Sequence, residues 1–139
     1  MGGRASKSVK PLLDTHILIH WIAGSIPLHK AHRRIIDAAS DENPLWVSDI
    51  TLWEVATLHN LGRVEFDLPL RDWLERATAP PLVRRLAITP AVAAEVAALP
   101  DTFHRDPADR IIVATARVTG ATILTRDDRI RDSGLAPVA

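Results

Sequence analysis

One segment, residues 106–127, gives the clearest indication of the fold class. It reads Asp106-Pro-Ala-Asp109-Arg-Ile-Ile-Val-Ala-Thr-Ala-Arg-Val-Thr-Gly120-Ala-Thr-Ile-Leu-Thr125-Arg-Asp127. An aspartate followed by proline is a typical helix start, and a glycine is a typical helix end. The β-branched run from Ala121 to Thr125 predicts a strand. The segment is therefore a helix followed by a strand, with carboxylates at the start of the helix and after the strand.

The same alternation extends over most of the 139 residues. Short apolar runs alternate with helical patterns, which favours a parallel sheet covered by helices on both faces. We therefore predict an α/β fold, a three-layer α/β/α sandwich with a mostly parallel sheet of four to five strands. It forms a single domain over residues 9–139, preceded by a flexible segment at 1–8. The predicted strands are 9–13, 45–48, 82–88, 121–125 and 135–138. The first predicted helix follows Asp14, runs through Trp21 and stops at Gly24. The other predicted helices are 28–39, 50–61 capped by Asp49, 69–77, 90–99 and 107–118.

Composition excludes several classes of function. Seventeen basic residues balance seventeen acidic ones, so any attraction for nucleic acid must be local. The absence of cysteine excludes a disulfide scaffold, a thiol nucleophile and a zinc site with cysteine ligands. The apolar run near the start carries Asp14, His16 and His20 and is too short for a membrane span. We expect a cytoplasmic protein with no membrane association.

Four carboxylates fall at positions that a parallel α/β fold brings to one edge of the sheet. Asp14 and Asp127 follow strands, Glu54 lies near the start of a helix after a strand, and Asp109 lies in the first turn of a helix that leads into a strand. Open α/β sheets bind their ligands at the carboxyl edge. The sequence therefore predicts an acidic site at this edge.

Structural explanations remain open for some of these acids. Asp14 and Asp106 each fit a helix N-cap, Asp109 favours the helix dipole, and Asp127 with Asp128 could belong to a solvated turn. Glu54 is harder to explain in this way, because its neighbours on the helix are mostly apolar. A carboxylate in such surroundings needs a partner from elsewhere in the fold or a metal ion.

Crowded carboxylates repel one another unless a cation holds them together. Oxygen ligands without cysteine suit Mg²⁺ or Mn²⁺, and such sites activate water for hydrolysis of phosphodiesters. Arginines near the end of the chain could bind phosphate or could simply neutralise the acids. They are Arg105, Arg110, Arg117, Arg126, Arg129 and Arg131.

The four tryptophans, Trp21, Trp46, Trp53 and Trp73, are interpreted as core residues.

Four sequence motifs occur in order across almost the whole chain. They are Leu12-Leu-Asp-Thr-His-Ile-Leu-Ile-His-Trp21, Ser48-Asp-Ile-Thr-Leu-Trp-Glu-Val55, His104-Arg-Asp-Pro-Ala-Asp-Arg-Ile-Ile-Val-Ala-Thr-Ala116 and Leu124-Thr-Arg-Asp-Asp-Arg-Ile130. Each motif is weak alone, but together the four resemble PIN-domain proteins, and most closely the VapC toxins of bacterial VapBC toxin–antitoxin pairs.

The resemblance implies a Mg²⁺-dependent endoribonuclease, with Mn²⁺ as a substitute, that acts as the toxin of a toxin–antitoxin system. Its catalytic acids fall on Asp14, Glu54, Asp109 and Asp127. Asp14 and Asp109 match direct metal ligands, and Glu54 and Asp127 match acids that act through water. The expected partners are an RNA substrate, a VapB-type antitoxin that blocks the active groove, and a second copy in a homodimer. Supporting roles are expected for Thr15, Ser48, Thr125 and Arg110, and either Asp106 or Asp128 could assist.

Two alternatives remain. The first is a PIN-like domain that only binds proteins, which the presence of all four acids makes less favourable. The second is a Mg²⁺-dependent phosphohydrolase of the haloacid-dehalogenase type. That chemistry requires a second aspartate two residues after the first, and His16 occupies this position.

Overall fold

The computed structural model of the chain describes residues 9–24 and 26–139. Four strands and seven helices alternate along these residues. The predicted flexible segment 1–8 lies outside the described residues. In chain order the elements are β1 (Pro11–Leu13), α1 (Thr15–Ala23), α2 (Lys30–Asp37), β2 (Leu45–Ser48), α3 (Asp49–Asn60), α4 (Leu70–Ala77), β3 (Val83–Leu86), α5 (Pro90–Ala98), α6 (Pro107–Thr119), β4 (Thr122–Leu124) and α7 (Asp128–Arg131).

The strands form one parallel sheet in the order β3-β2-β1-β4. Alternate side chains of each strand enter two separate apolar clusters, one on each face. Leu13, Val47 and Leu124 pack with α1 to α4, whereas Leu12 and Ile123 pack with residues of α6. This arrangement confirms the predicted three-layer α/β/α fold.

Several predicted boundaries differ from the observed ones. Helix α3 is capped by Ser48 and not by Asp49, because Ser48 keeps an extended backbone and its hydroxyl accepts a hydrogen bond from the Ile50 N–H at 3.2 Å. The predicted last strand is reduced to a single bridge between Val138 and Ile123. Helix α7 was not predicted, since four residues are too few to show a helical periodicity.

Strand β3 lies at one edge of the sheet. The guanidinium-bearing pair Arg84 and Arg85 is exposed on β3, which has a single neighbour in the sheet. Within the described residues no helix is both long and apolar enough to cross a membrane.

Candidate active site

The four predicted carboxylates line one pocket at the carboxyl edge of the sheet. Asp14 directly follows β1, and Asp127 follows β4 after two residues. Glu54 lies in the second turn of α3, and Asp109 lies in the first turn of α6, whose N-terminus points to the same edge. The fold thus brings together four acids from four distant parts of the chain, as the sequence predicted. Their chemical roles stay a prediction.

Asp14 is the most deeply buried of these acids, with 6% of its surface exposed. One carboxylate oxygen caps α1 by accepting the N–H of Ile17 at 2.9 Å, and the other accepts the hydroxyl of Thr125. Burial raises the pKa of Asp14, and these two hydrogen bonds oppose the rise. The N-cap expected of Asp14 and its place in the acidic pocket are therefore compatible, because its two oxygens have different partners.

Glu54 finds its partner in α1. Its Oε1 accepts the hydroxyl of Thr15, which also lies 3.3 Å from the hydroxyl of Thr51. Burial raises the pKa of Glu54, the hydrogen bond from Thr15 lowers it, and the charge of Asp106 raises it further. A neutral hydroxyl therefore orients the carboxylate without cancelling its charge.

The carboxyl group of Asp109 has a strongly perturbed pKa. Burial, followed by the charges of Asp106 and Asp127, raises its pKa to about 7. His104 faces it, with Nε2 3.2 Å from Asp109 Oδ2. Asp106 is the N-cap of α6, as predicted, and accepts the N–H of Asp109 at 3.1 Å; it also lines the pocket.

Asp127 differs from the other three acids because a cation holds it. Its carboxylate caps α7 by accepting the N–H of Arg129 at 2.8 Å, and it accepts the Arg129 guanidinium at 3.1 Å. Burial acts to raise the pKa of Asp127, but the hydrogen bonds and charge of Arg129 outweigh it and lower the pKa. Asp128 is exposed and lines a different pocket, near His32.

The donor set consists of carboxylates, which suits a hard cation such as Mg²⁺ or Mn²⁺. Throughout residues 9–24 and 26–139, no three histidine, aspartate or glutamate side chains form a ready-made set of metal ligands. Mg²⁺ usually keeps several waters and takes only one or two carboxylates from the protein. The residues therefore fit a hydrated ion held by few direct ligands and do not fit a closed cage.

The four predicted supporting residues divide into two pairs. Thr15 and Thr125 donate hydrogen bonds to Glu54 and Asp14, respectively. Ser48 is fully buried and its hydroxyl caps α3. Arg110 is also buried and donates to the backbone carbonyls of Phe103 and His104. Neither Ser48 nor Arg110 lines the acidic pocket, and the hydrogen bonds of both side chains go to backbone groups.

Most of the arginines near the end of the chain have partners that lie outside the acidic pocket. Arg117 pairs with Glu95, Arg105 approaches Asp101, and Arg131 donates to the carbonyl of Thr125. Of the six, only Arg129 lines the acidic pocket. Closeness to the acids in the sequence did not predict which arginine enters the pocket, because successive residues of a helix point in different directions.

Trp53 and Arg63 are among the pocket residues that the sequence analysis missed. Trp53 was interpreted as a core residue, but 55% of its surface is exposed and it lines the pocket beside Glu54. By contrast, Trp73 is buried in the core, and Trp21 and Trp46 are half-buried. Arg63, just beyond the end of α3, also lines the pocket. Trp53 was missed because the apolar composition of α3 favoured a buried position for it.

Known proteins resemble this chain in sequence and in structure. The PIN domain family model matches residues 12–134. Ribonuclease VapC22 of Mycobacterium tuberculosis is 38% identical over 120 residues, which are 86% of this chain and 88% of the relative. The structure of VapBC2 from Rickettsia felis, bound to a DNA fragment from their promoter, aligns with a TM-score of 0.70 at 12% identity, over 93% of this chain and 96% of that chain. FitAcB from Neisseria gonorrhoeae aligns with a TM-score of 0.65 at 23% identity, over 92% and 95% of the two chains. The chain belongs to the PIN domain family.

Proposed function

We propose that the protein is a Mg²⁺-dependent endoribonuclease and the toxin of a toxin–antitoxin pair. The observation that carries the proposal is the convergence of Asp14, Glu54, Asp109 and Asp127 in one pocket at the carboxyl edge. Burial raises the pKa of three of them, so the pocket favours a bound cation over free negative charge. The 38% identity to a protein named ribonuclease VapC22 supports RNA as the substrate.

Asp14 and Asp109 are the proposed direct ligands of the ion, and Glu54 and Asp127 act through water. A bound Mg²⁺ would polarise the phosphate and lower the pKa of a bound water. Mn²⁺ can replace it, since it also prefers oxygen ligands.

The side chains around the ligands fix their orientation. Thr125 and the N–H of Ile17 hold the Asp14 carboxylate from two sides, so its position does not depend on the ion. Thr15 does the same for Glu54. With its carboxylate directed by this hydroxyl, Glu54 orients the attacking water and accepts its proton as the water adds to phosphorus and the ester oxygen leaves.

Partners follow from the same proposal. A toxin–antitoxin complex from Klebsiella pneumoniae shares the fold of this chain. We propose a VapB-type antitoxin that covers the acidic pocket, a homodimer of the toxin, and RNA of the cytoplasm as the substrate. An antitoxin that covers the pocket would have to displace or neutralise the same charges that bind the metal ion.

Cleavage of RNA by the purified protein tests the proposal. We expect cleavage with Mg²⁺, loss of cleavage with EDTA, and loss of cleavage in Asp14→Asn and Asp109→Asn. Asp128→Asn is the matched control, because it removes one negative charge at an exposed carboxylate outside the pocket.

Two results would contradict the proposal. A folded wild-type protein that leaves RNA intact with Mg²⁺ but binds another protein would favour the protein-binding alternative. Hydrolysis of a small phosphate monoester, without cleavage of RNA, would favour the phosphohydrolase.

A further inference from the structure

An exposed indole lies beside the acids. Trp53 immediately precedes Glu54 on α3, and its side chain lines the same pocket of about 350 Å³. Its exposed fraction is 55%, against 5% for Trp73 in the core. A large, flat apolar surface is therefore open to a ligand that enters the acidic pocket.

An uncommitted cation lies in the same pocket. Arg63 is exposed, and its side chain forms no salt bridge or hydrogen bond with any residue in 9–24 or 26–139. The other cationic groups of the pocket behave differently, because Arg129 is paired with Asp127 and His104 faces Asp109. Arg63 is therefore free to bind an anion from outside, whereas Arg129 already neutralises an acid of the protein.

We propose that Trp53 and Arg63 form a nucleotide-binding wall along one side of the acidic pocket. The indole of Trp53 stacks on an unpaired base next to the phosphate that is cleaved, and the guanidinium of Arg63 binds a neighbouring backbone phosphate. This inference rests on the proposed ribonuclease function and adds two residues that bind its substrate. Stacking requires an unpaired base, so the wall selects single-stranded RNA over duplex.

The surroundings of the indole favour RNA over a protein partner. A protein interface buries a continuous apolar patch, but the pocket residues around Trp53 are mainly polar, as with His16, Glu54 and Thr57. To bind a nucleotide, the protein needs only one flat apolar surface for the base and one cation for the phosphate. The net charge of the whole chain is zero, so local groups such as Arg63 must supply the attraction.

Binding of a short, fluorescently labelled single-stranded RNA tests the wall. The parent is the Asp14→Asn protein in Mg²⁺, so that the RNA stays uncut. In this parent we expect Trp53→Ala to weaken binding roughly 10-fold or more, and Trp53→Phe to restore most of the loss. Val118→Ala is the control, because Val118 is an exposed apolar residue, 42% accessible, near the opposite end of α6.

A scan with abasic nucleotides tests stacking itself. At one position of the RNA, removal of the base should weaken binding as much as Trp53→Ala does, and the two changes together should cause no further loss. For Arg63→Gln, we expect the slope of log affinity against log salt to fall by about 0.7, as for the loss of one phosphate contact with a single strand.

Several results would overturn the inference. They are an unchanged affinity in Trp53→Ala, a loss that adds to every abasic substitution, or an unchanged salt slope in Arg63→Gln. A shift of oligomeric state in Trp53→Ala at unchanged RNA affinity would assign the indole to a protein interface and also overturn it. Failure of the proposed function is distinct, because the wild-type protein would then not cleave RNA in Mg²⁺.

Discussion

Arg129 donates to the carboxylate of Asp127 at 3.1 Å, and the same guanidinium nitrogen lies 3.9 Å from Oδ2 of Asp109. The acidic pocket of the metal-free protein thus contains a positive charge of its own. Arg129 is well exposed, with 62% of its side chain accessible, so it can move away without a large loss of packing. A cation that binds between the acids competes with this guanidinium for the same oxygens.

We therefore expect Arg129→Gln to bind Mn²⁺ more tightly, by about 3-fold to 10-fold, since the competing charge is gone. Isothermal titration calorimetry without RNA measures this change directly. Arg126→Gln is the control, because this substitution removes the same charge from an exposed position that lines another pocket. Equal or weaker Mn²⁺ binding in Arg129→Gln would show that the arginine does not compete with the ion.

The hydroxyl of Thr125 links two of the acids. It donates to Asp14 and accepts the N–H of Asp127 at 3.0 Å. Thr125→Val has nearly the same shape but leaves a buried carboxylate oxygen without its donor, so we expect a loss of about 1–3 kcal/mol in the free energy of unfolding. Urea denaturation in EDTA measures the loss.

Thr122→Val is the matched control for this measurement. Thr122 is the first residue of β4, the strand that Thr125 follows, and its hydroxyl makes no hydrogen bond within the described part of the chain. We expect its effect to stay within about 0.5 kcal/mol. Similar losses in the two variants would mean that the Thr125 hydroxyl contributes nothing specific.

The sequence was sufficient for the placement of the acids because that placement follows from topology. A residue that closely follows a parallel strand lies at the carboxyl edge whatever its side-chain contacts are. Asp14 directly follows β1, and Asp127 follows β4 after two residues. The start of α6 was predicted for a different reason, which is a local signal in the sequence. Asp106 before Pro107 is a local signal, and the structure confirms it as the N-cap of α6.

Side-chain direction was not predictable in the same way. Trp53 is an apolar residue in a mostly apolar helix, so composition favours burial, but its position on α3 leaves it in the pocket. Arg110 is a charged residue beside Asp109, yet it is buried and donates to carbonyls. Both differences depend on packing between elements that are distant in sequence, and local patterns do not contain that information.

The positions of Asp106 and Asp109 on α6 predict different effects of alanine substitution. Asp106→Ala removes the N-cap and should cost about 1 kcal/mol of stability while part of the cleavage activity remains. Asp109→Ala removes a buried carboxylate with a raised pKa and should abolish cleavage without loss of stability in EDTA. Cleavage and urea denaturation are measured on both variants. An inactive, fully stable Asp106→Ala would exchange the roles assigned to the two acids.

The raised pKa of Asp109 also predicts how stability changes with pH. Its pKa rises from 3.8 to about 7 in the folded, metal-free protein because burial and neighbouring acids disfavour the ionised form. Between these values the folded state holds a proton that the unfolded state has lost, so the free energy of unfolding falls as pH rises. The decrease ends above about pH 7. The charged or titratable groups near Asp109 are Asp14, Glu54, His104, Asp106, Asp127 and Arg129.

Asp109→Asn removes this contribution, because an amide does not ionise. In EDTA we expect the variant to be more stable than the wild type by at least about 1 kcal/mol at pH 8, since one pKa unit corresponds to about 1.4 kcal/mol. The difference should shrink towards pH 4, where both the carboxyl group and the amide are neutral. Urea denaturation at the two pH values measures it, with Asp128→Asn as the control for net charge at an exposed position. A stability difference that is the same at pH 4 and pH 8 would mean that Asp109 ionises normally in the folded protein, and that the acids of the pocket do not repel one another as strongly as their burial implies.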